Sequence, residues 1–144
     1  MSWLRTLLII LAVAWAMPAG AEQMQQKGPY QIHYQALPST FLTPQVARQY
    51  QLTRSNSVGL VNIAVLDSRK PGTPGIKAKV TGTARNLLGN SLTLNFREIK
   101  DGPAVYYIAS VPFRNEEQFQ FQLTITAANG EHYPLTFSHK FYQD

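Results

Sequence analysis

The chain has 144 residues, no cysteine, and 13 lysines and arginines against 8 acidic residues, for a formal net charge of +5. This length fits one domain and is too short for two ordinary domains. A hydrophobic fraction of 44% is too high for a disordered chain and too low for a multi-spanning membrane protein. The lack of cysteine excludes disulfides, thiolate zinc sites, thiol nucleophiles and a lipid-modified cysteine.

Residues 1–21 follow the order of a secretory signal peptide. One positive side chain, Arg5, precedes an uncharged apolar run over residues 7–17, and two small residues, Ala19 and Ala21, complete a cleavage pattern. The apolar run is about half of the ~20 residues that span a bilayer, which disfavours a membrane anchor. We therefore predict cleavage after Ala21 and an exported, periplasmic chain of residues 22–144. This mature chain is expected to form a single domain with no membrane span.

Alternation of apolar and polar residues dominates the mature chain and predicts β-strands. Asp101-Gly102 and Asn129-Gly130 lie between such runs and are typical of hairpin turns. Thr43 and Pro44 have the form of a helix N-cap and first helical residue, which predicts a short helix near residues 44–51. Seven strands are predicted. Six lie at residues 30–36, 59–67, 76–85, 91–100, 105–111 and 118–125, and the last follows the turn at Asn129-Gly130, contains residues 132–141 and ends near Asp144.

Seven antiparallel strands with one apolar face each are best accommodated by two sheets stacked face to face. We therefore predict an all-β fold, an immunoglobulin-like two-sheet antiparallel β-sandwich, with a small barrel as the second choice. The polar residues 22–28 are expected to be frayed. The sequence shows no internal repeat, linker or low-complexity tract.

Five short blocks and a closing pair occur in a fixed order along the chain. They are STFLTP at residues 39–44, NIAVL at 62–66, NLLG at 86–89, FREI at 96–99, YYIA at 106–109 and the closing Phe141-Tyr142. In these blocks the chain resembles the small exported proteins of Gram-negative bacteria grouped as domain of unknown function 4426. The resemblance covers nearly the whole mature chain and implies a periplasmic location and a compact β domain. That family has no assigned activity, so no site residue is transferred from it.

The three histidines offer little for metal chemistry. His132 and His139 are seven residues apart in one predicted strand, so they face opposite sides at a distance of about 23 Å, given ~3.3 Å per residue. His33 and His139 would meet only if the first and last strands were neighbours, and two ligands do not make a metal site. We expect no metal and no cofactor. His139 is assigned to the apolar face that contains Phe137 and Phe141.

The sequence contains no recognised catalytic motif. Asp67, Ser68 and His132 are the residue types of a triad, but no G-x-S-x-G turn presents the serine. Most acidic residues lie at turns, where burial does not raise a carboxyl pKa for acid–base catalysis. The first hypothesis is therefore a non-enzymatic binding or accessory module. The alternative is a hydrolase or other enzyme that would gather His33 or His132 with a carboxylate and a hydroxyl in one pocket.

The basic residues are the more suggestive feature. Lys77, Lys79 and Arg85 have even spacings, which place them on one face of the predicted strand at residues 76–85. Arg97 is expected to join them from the next strand and to complete a basic stripe. The partners expected for this stripe are an envelope protein or an anionic envelope surface, such as lipid head groups, lipopolysaccharide or acidic glycans. The alternative is a solvated basic strand that discourages edge pairing.

Net charge alone gives a competing explanation for any binding to an anionic surface. Export argues against nucleic acid as the partner, although the sequence pI is about 9.6. If net charge were sufficient, reversing basic residues elsewhere would have the same effect as reversing the stripe. Arg48, Arg69 and Lys140 are taken as this comparison set.

Overall fold

The computed structural model describes residues 23–143, so the predicted signal peptide lies outside the described residues. Nine strands, one 3-10 turn and one α-helix form the described part. The strands are β1 (Gln23–Lys27), β2 (Tyr30–Pro38), β3 (Val58–Asp67), β4 (Lys79–Asn86), β5 (Ser91–Leu94), β6 (Arg97–Asp101), β7 (Ala104–Pro112), β8 (Glu117–Thr126) and β9 (His132–Phe141). The 3-10 turn (Ser39–Phe41) and helix α1 (Pro44–Gln49) lie between β2 and β3. No helix in residues 23–143 is long and apolar enough to cross a membrane.

The strands form two antiparallel sheets. The five-stranded sheet has the order β1-β2-β3-β7-β6, and the four-stranded sheet has the order β5-β4-β8-β9. All described strand pairs are antiparallel. This arrangement confirms the predicted two-sheet sandwich and excludes the small barrel.

The core lies between the two sheets and is built mainly from alternate residues of the described strands other than β1 and β6. Aromatic rings connect the two layers: Tyr34 and Phe137 have ring centroids 4.7 Å apart, and Tyr30 and Tyr133 have centroids 5.8 Å apart. Burying such apolar surface is the dominant favourable contribution to folding in a chain without disulfides. The largest fully buried core side chains are Phe121, Phe141, Ile32, Ile63, Ile125, Leu135, Val61, Val65 and Val111.

Helix α1 begins as the sequence predicts. The Thr43 hydroxyl accepts a hydrogen bond of 3.2 Å from the Val46 amide, and Pro44 occupies the first turn. Ala47 is the buried residue of the helix. The Ser39 hydroxyl donates to the carbonyl of Ser55 and accepts from its amide, both at 2.9 Å, and these bonds fasten the two ends of the helical segment together.

The first strand is a departure from prediction. Residues 22–28 were expected to be frayed, but β1 pairs with β2 along its whole length, from Gln23 opposite Tyr34 to Lys27 opposite Tyr30. The glutamine-rich sequence has no apolar face to predict this strand. The unpaired edge of β2 supplies backbone donors and acceptors instead, and pairing to them does not depend on side-chain polarity.

Two predicted strands have different limits in the structure because the chain changes sheets there. The predicted strand at residues 91–100 is divided into β5 in one sheet and β6 in the other. The predicted strand at residues 76–85 starts only at Lys79. Before it, the Ile76 amide donates to the Val65 carbonyl of β3 at 2.8 Å, and the Ala78 amide donates to the Tyr107 hydroxyl at 2.8 Å.

Candidate functional site

The outer surface of the four-stranded sheet, here called the polar face, has hydroxyl, amide and cationic side chains. Alternation turns Phe119, Phe121, Leu123 and Ile125 of β8 into the core, so the intervening residues face outward. No aspartate or glutamate is among the outward positions of the four described strands. The outward residues are Lys79, Thr81, Thr83, Arg85, Ser91, Thr93, Gln118, Gln120, Gln122, Thr124, Thr126, His132, Pro134, Thr136, Ser138 and Lys140.

Two of the four predicted basic-stripe residues lie on the polar face. Lys79 and Arg85 occupy outward positions near opposite ends of β4 and are exposed. Arg85 is opposite Gln120 of β8, which in turn is opposite Ser138 of β9. Lys77 is also exposed, but it lies in the crossing segment before β4 rather than in the strand.

The expectation that Arg97 joins this stripe is wrong. Arg97 lies in β6 of the five-stranded sheet and pairs with Ile108. Its guanidinium donates to the carbonyl oxygens of Tyr50 and Gln51, at 2.7 and 3.0 Å. The prediction failed because the chain changes sheets at residues 95–96, so the even spacing no longer refers to one surface. Arg97 fastens the C-terminal end of the helical segment to β6.

Lys140 belongs to the polar face, although it was placed in the comparison set. It is opposite Gln118 in the β8–β9 pair, and its ammonium nitrogen is 5.6 Å from the centroid of the Tyr142 ring. Alternation with buried Phe141 could have predicted its outward direction. What the sequence did not give was the pairing order, which brings the last strand into the same sheet as β4.

The β4–β5 hairpin ends in two exposed leucines, here called the leucine tip. Leu87 is 81% exposed and Leu88 is 87% exposed. The turn beneath them is held by a hydrogen bond of 3.1 Å from the Gly89 amide to the Asn86 carbonyl. A second bond of 2.9 Å runs from the Asn90 amide to the Asn86 side chain. Gly89 has a φ of +89°, which glycine adopts without strain.

Arg85 lies against this turn. Its guanidinium is 3.5 Å from the position that a Cβ on Gly89 would take. Beside it is an open groove of about 410 Å³ at the junction of the polar face and the leucine tip. The groove is lined by Arg85, Asn86, Leu87, Gln118, Gln120 and Ser138. One cation, several neutral hydrogen-bonding groups and an apolar side chain therefore meet at one end of the sheet.

The three histidines occupy three different surfaces. His33 is on the outer side of the five-stranded sheet, 3.3 Å from the Gln31 side chain, and His132 is on the polar face, 2.8 Å from the Thr126 hydroxyl. His139 lies on the inner side of β9, with its ring centroid 4.6 Å from that of Phe141, which confirms its assignment to the apolar face. Burial lowers the pKa of His139. Within residues 23–143, no three or more histidines, aspartates and glutamates are grouped so as to hold a metal ion.

Asp67 and Ser68 make local structural contacts. Asp67 is buried, and its two carboxylate oxygens accept from the Arg69 guanidinium at 3.1 Å each. These bonds hold the pKa of Asp67 below its usual value. The Ser68 hydroxyl donates to the Pro29 carbonyl at 2.8 Å. The serine proton is therefore directed to a backbone oxygen and not to an imidazole.

The fold and these surfaces define a small β-sandwich domain whose described part has a cationic polar face and an apolar hairpin tip. The family model of DUF4426, a domain of unknown function, matches residues 24–144. The chain belongs to the DUF4426 family. No curated protein matches it.

Solved structures share the fold. A DUF4426 family protein from Pseudomonas aeruginosa PAO1 is 29% identical, covers 88% of this chain and 99% of its own, and has a TM-score of 0.76. A copper-bound variant of FetP from uropathogenic Escherichia coli strain F11 is 9% identical, covers 86% of this chain and 92% of its own, and has a TM-score of 0.59. Another FetP structure from that strain, 13% identical, covers 87% and 93% with a TM-score of 0.51. At these identities FetP shows a shared fold alone.

Proposed function

We propose that this protein is a non-enzymatic periplasmic binding module that engages an anionic surface of the cell envelope through its polar face. The observation behind the proposal is the combination of Lys79, Arg85 and Lys140 on a four-stranded face with no outward carboxylate in the described strands. The threonine, serine and glutamine side chains between these cations can donate hydrogen bonds to anionic oxygens.

The positive charges of this face have no carboxylate among the outward positions beside them, so the face can attract an anionic surface. Neighbouring carboxylates would cancel their field, but the polar face has none among its outward positions. Charges in such a patch raise the encounter rate with an anionic surface, and screening beyond about 8 Å at physiological salt makes the effect dependent on ionic strength. Binding is therefore expected at low salt and is expected to weaken as salt increases.

The periplasmic location rests on the N-terminal sequence. Residues 1–21 have the charged, apolar and small-residue order of a secretory signal. This order is consistent with a binding module that meets the inner or outer membrane from the periplasmic side.

Copper binding is not carried over from FetP. The sequence identity to the copper-bound variant is only 9%. The described residues also lack a group of three histidines, aspartates or glutamates that could hold a metal ion.

The enzyme alternative receives less support than the binding module. An enzyme was expected to bring His33 or His132 together with a carboxylate and a hydroxyl. His132 has the Thr126 hydroxyl at 2.8 Å, and Asp67, the carboxylate named with it in the triad hypothesis, is bound by Arg69. His33 lies on the outer side of the other sheet, beside Gln31. These contacts favour binding over catalysis.

Cosedimentation with phosphatidylglycerol-containing vesicles tests the proposal. Lys79→Glu with Arg85→Glu should lower the fraction bound at low salt by at least about tenfold. The control is Arg48→Glu with Lys70→Glu, which makes the same change in net charge in α1 and in an exposed loop. This pair replaces the earlier comparison set because Arg69 bonds Asp67 and Lys140 is on the polar face. Equal losses in both variants, or no binding by the wild type, would overturn the proposal.

A further inference from the structure

We propose that the leucine tip inserts into the surface of an anionic phospholipid bilayer, with Arg85 contacting the head-group phosphates. This inference rests on the proposed function, because it names the anionic surface and the end of the domain that meets it. The lipid bilayer is chosen over a glycan because the site joins exposed aliphatic side chains to a cation. A glycan chain has no counterpart for two adjacent leucines.

The exposure of Leu87 and Leu88 is not explained by folding. They occupy the central positions of a hairpin turn, where small and polar residues are the usual choice. With exposures of 81% and 87%, both leave nearly all their apolar surface in water. Single exposed leucines are ordinary, but two adjacent leucines at a projecting tip form an apolar patch of the kind that marks an interaction site.

The turn holds the leucines in place before any partner arrives. The Asn86 backbone and side chain accept hydrogen bonds from Gly89 and Asn90, and the Asn86 amide donates to the Asn90 carbonyl at 3.0 Å. Asn86 is itself bonded to Glu117 of β8 through its side-chain amide, at 3.0 Å. A tip fixed in this way has little conformational entropy to lose on insertion.

Charge complementarity selects an anionic bilayer. The Arg85 guanidinium lies against the same turn, and Gln118, Gln120 and Ser138 add neutral hydrogen-bonding groups in the adjoining groove. Guanidinium groups bind phosphate oxygens through paired, charge-assisted hydrogen bonds. The carboxylate of Glu117 is engaged by the Asn86 side chain and by the Arg114 amide, at 3.0 and 2.8 Å.

The opposite end of the sheet provides an internal comparison. The antiparallel register places Asn86 beside Phe119 and Lys79 beside Thr126, so the β8–β9 turn lies at the other end from the leucine tip. That turn contains exposed Ala128, Asn129, Gly130 and Glu131. It has an acidic residue and no large apolar one, so it should stay in water when the leucine tip is inserted.

Site-specific fluorescence tests the insertion directly. Because the chain has no cysteine, Leu88→Cys gives a single labelling position for an environment-sensitive fluorophore. The probe is a vesicle of phosphatidylethanolamine and phosphatidylglycerol, compared with phosphatidylcholine alone. We expect a blue shift and a severalfold rise in emission at position 88 with the anionic vesicles only. The matched control is Ala128→Cys, for which no change is expected. No response at position 88, or equal responses at both positions, would overturn the inference.

A second variant separates this inference from the proposed function. Leu87→Ser with Leu88→Ser removes the apolar tip and leaves all charges in place, and it should reduce cosedimentation with anionic vesicles by at least about tenfold. Phe41→Ser is the control, since Phe41 is a similarly exposed apolar residue elsewhere, at 66%. If the charge variants lose binding and the leucine variant does not, the insertion is wrong while the proposed function stands. Loss of a concentration-dependent dimer in the leucine variant would assign the tip to a second copy and also overturn the inference.

Discussion

Phe121 of β8 and Phe137 of β9 are direct cross-strand partners whose rings stack with centroids 4.9 Å apart and an interplanar angle of 24°. Phe121 is completely buried, whereas Phe137 is partly exposed at the margin of the core. The pair joins the edge strand β9 to the centre of the sandwich through side chains as well as through backbone hydrogen bonds.

Phe121→Ala should destabilise the domain by about 3–5 kcal/mol, because it removes a buried aromatic ring and leaves a cavity. Urea denaturation followed by circular dichroism measures this difference. Gln122→Ala, at the neighbouring outward position, is the control and should change the free energy of unfolding by no more than about 0.5 kcal/mol. A Phe121→Ala variant that melts within about a degree of the wild type would show that the assigned face is wrong.

Gly82→Ala should also destabilise the domain, by about 1–3 kcal/mol, through overpacking. A Cβ at this position in β4 would lie 2.8 Å from the Cα of Leu123 in β8, and backbone atoms cannot move aside as a flexible side chain can. The measurement is the urea midpoint relative to the wild type. Thr83→Ala, at the next residue of β4 and on the outward side of the sheet, is the control and should leave the urea midpoint nearly unchanged. A Gly82→Ala variant with an unchanged midpoint would contradict the close approach of β4 and β8.

His139 should make stability depend on pH. Burial lowers its pKa in the folded state, so the unfolded chain, with an ordinary value of about 6.5, binds the proton first as the pH falls. The contribution of the neutral ring to the free energy of unfolding is therefore complete above about pH 6.5 and is lost as the pH falls below this value. Urea midpoints at about pH 7.5 and pH 5 should differ less for His139→Gln than for the wild type. An equal fall of the urea midpoint in the wild type and in His139→Gln would assign the pH dependence to other groups.

The Asp67 carboxylate should stabilise the fold at neutral pH. The pKa of Asp67 is lowered chiefly by the hydrogen bond from Arg69. The carboxylate therefore contributes its full share to the stability of the fold above the ordinary aspartate pKa of about 3.9, and this share is lost as the pH falls through the pKa of the folded state. Asp67→Asn should lower the melting temperature at about pH 7, and the difference from the wild type should narrow below about pH 4. A constant difference across this range would mean that the carboxylate charge is not the cause.

The strand pattern could be predicted from sequence because burial follows the alternation of side chains. The residues of β8 show this most clearly, with Phe121 and Leu123 inward and Gln120 and Gln122 outward. Alternation does not say which sheet a strand joins. At residues 95–96 the chain crosses from one sheet to the other in extended conformation. Such a crossing requires no glycine or proline, so the sequence contains no signal for it.

The candidate site was predictable only in part for the same reason. Lys79 and Arg85 were found from their spacing within one strand, which is a local property. The position of Arg97 and the membership of Lys140 depend on pairing between distant segments. The leucine tip lies between the strands predicted at residues 76–85 and 91–100, but its exposure is a tertiary property, because a turn leucine can equally fold back onto a core.

The chain passes from one sheet to the other three times, between β3 and β4, between β5 and β6, and between β7 and β8. Consequently each sheet is assembled from two stretches of sequence separated by part of the other sheet. The five-stranded sheet is incomplete until β6 and β7 have been synthesised, and the four-stranded sheet is incomplete until β9 reaches β8 near the C-terminus. Non-local pairings of this kind slow folding, since loop closure must precede the contacts that stabilise it. A nascent chain of this protein therefore has no early fragment that can become an independent domain.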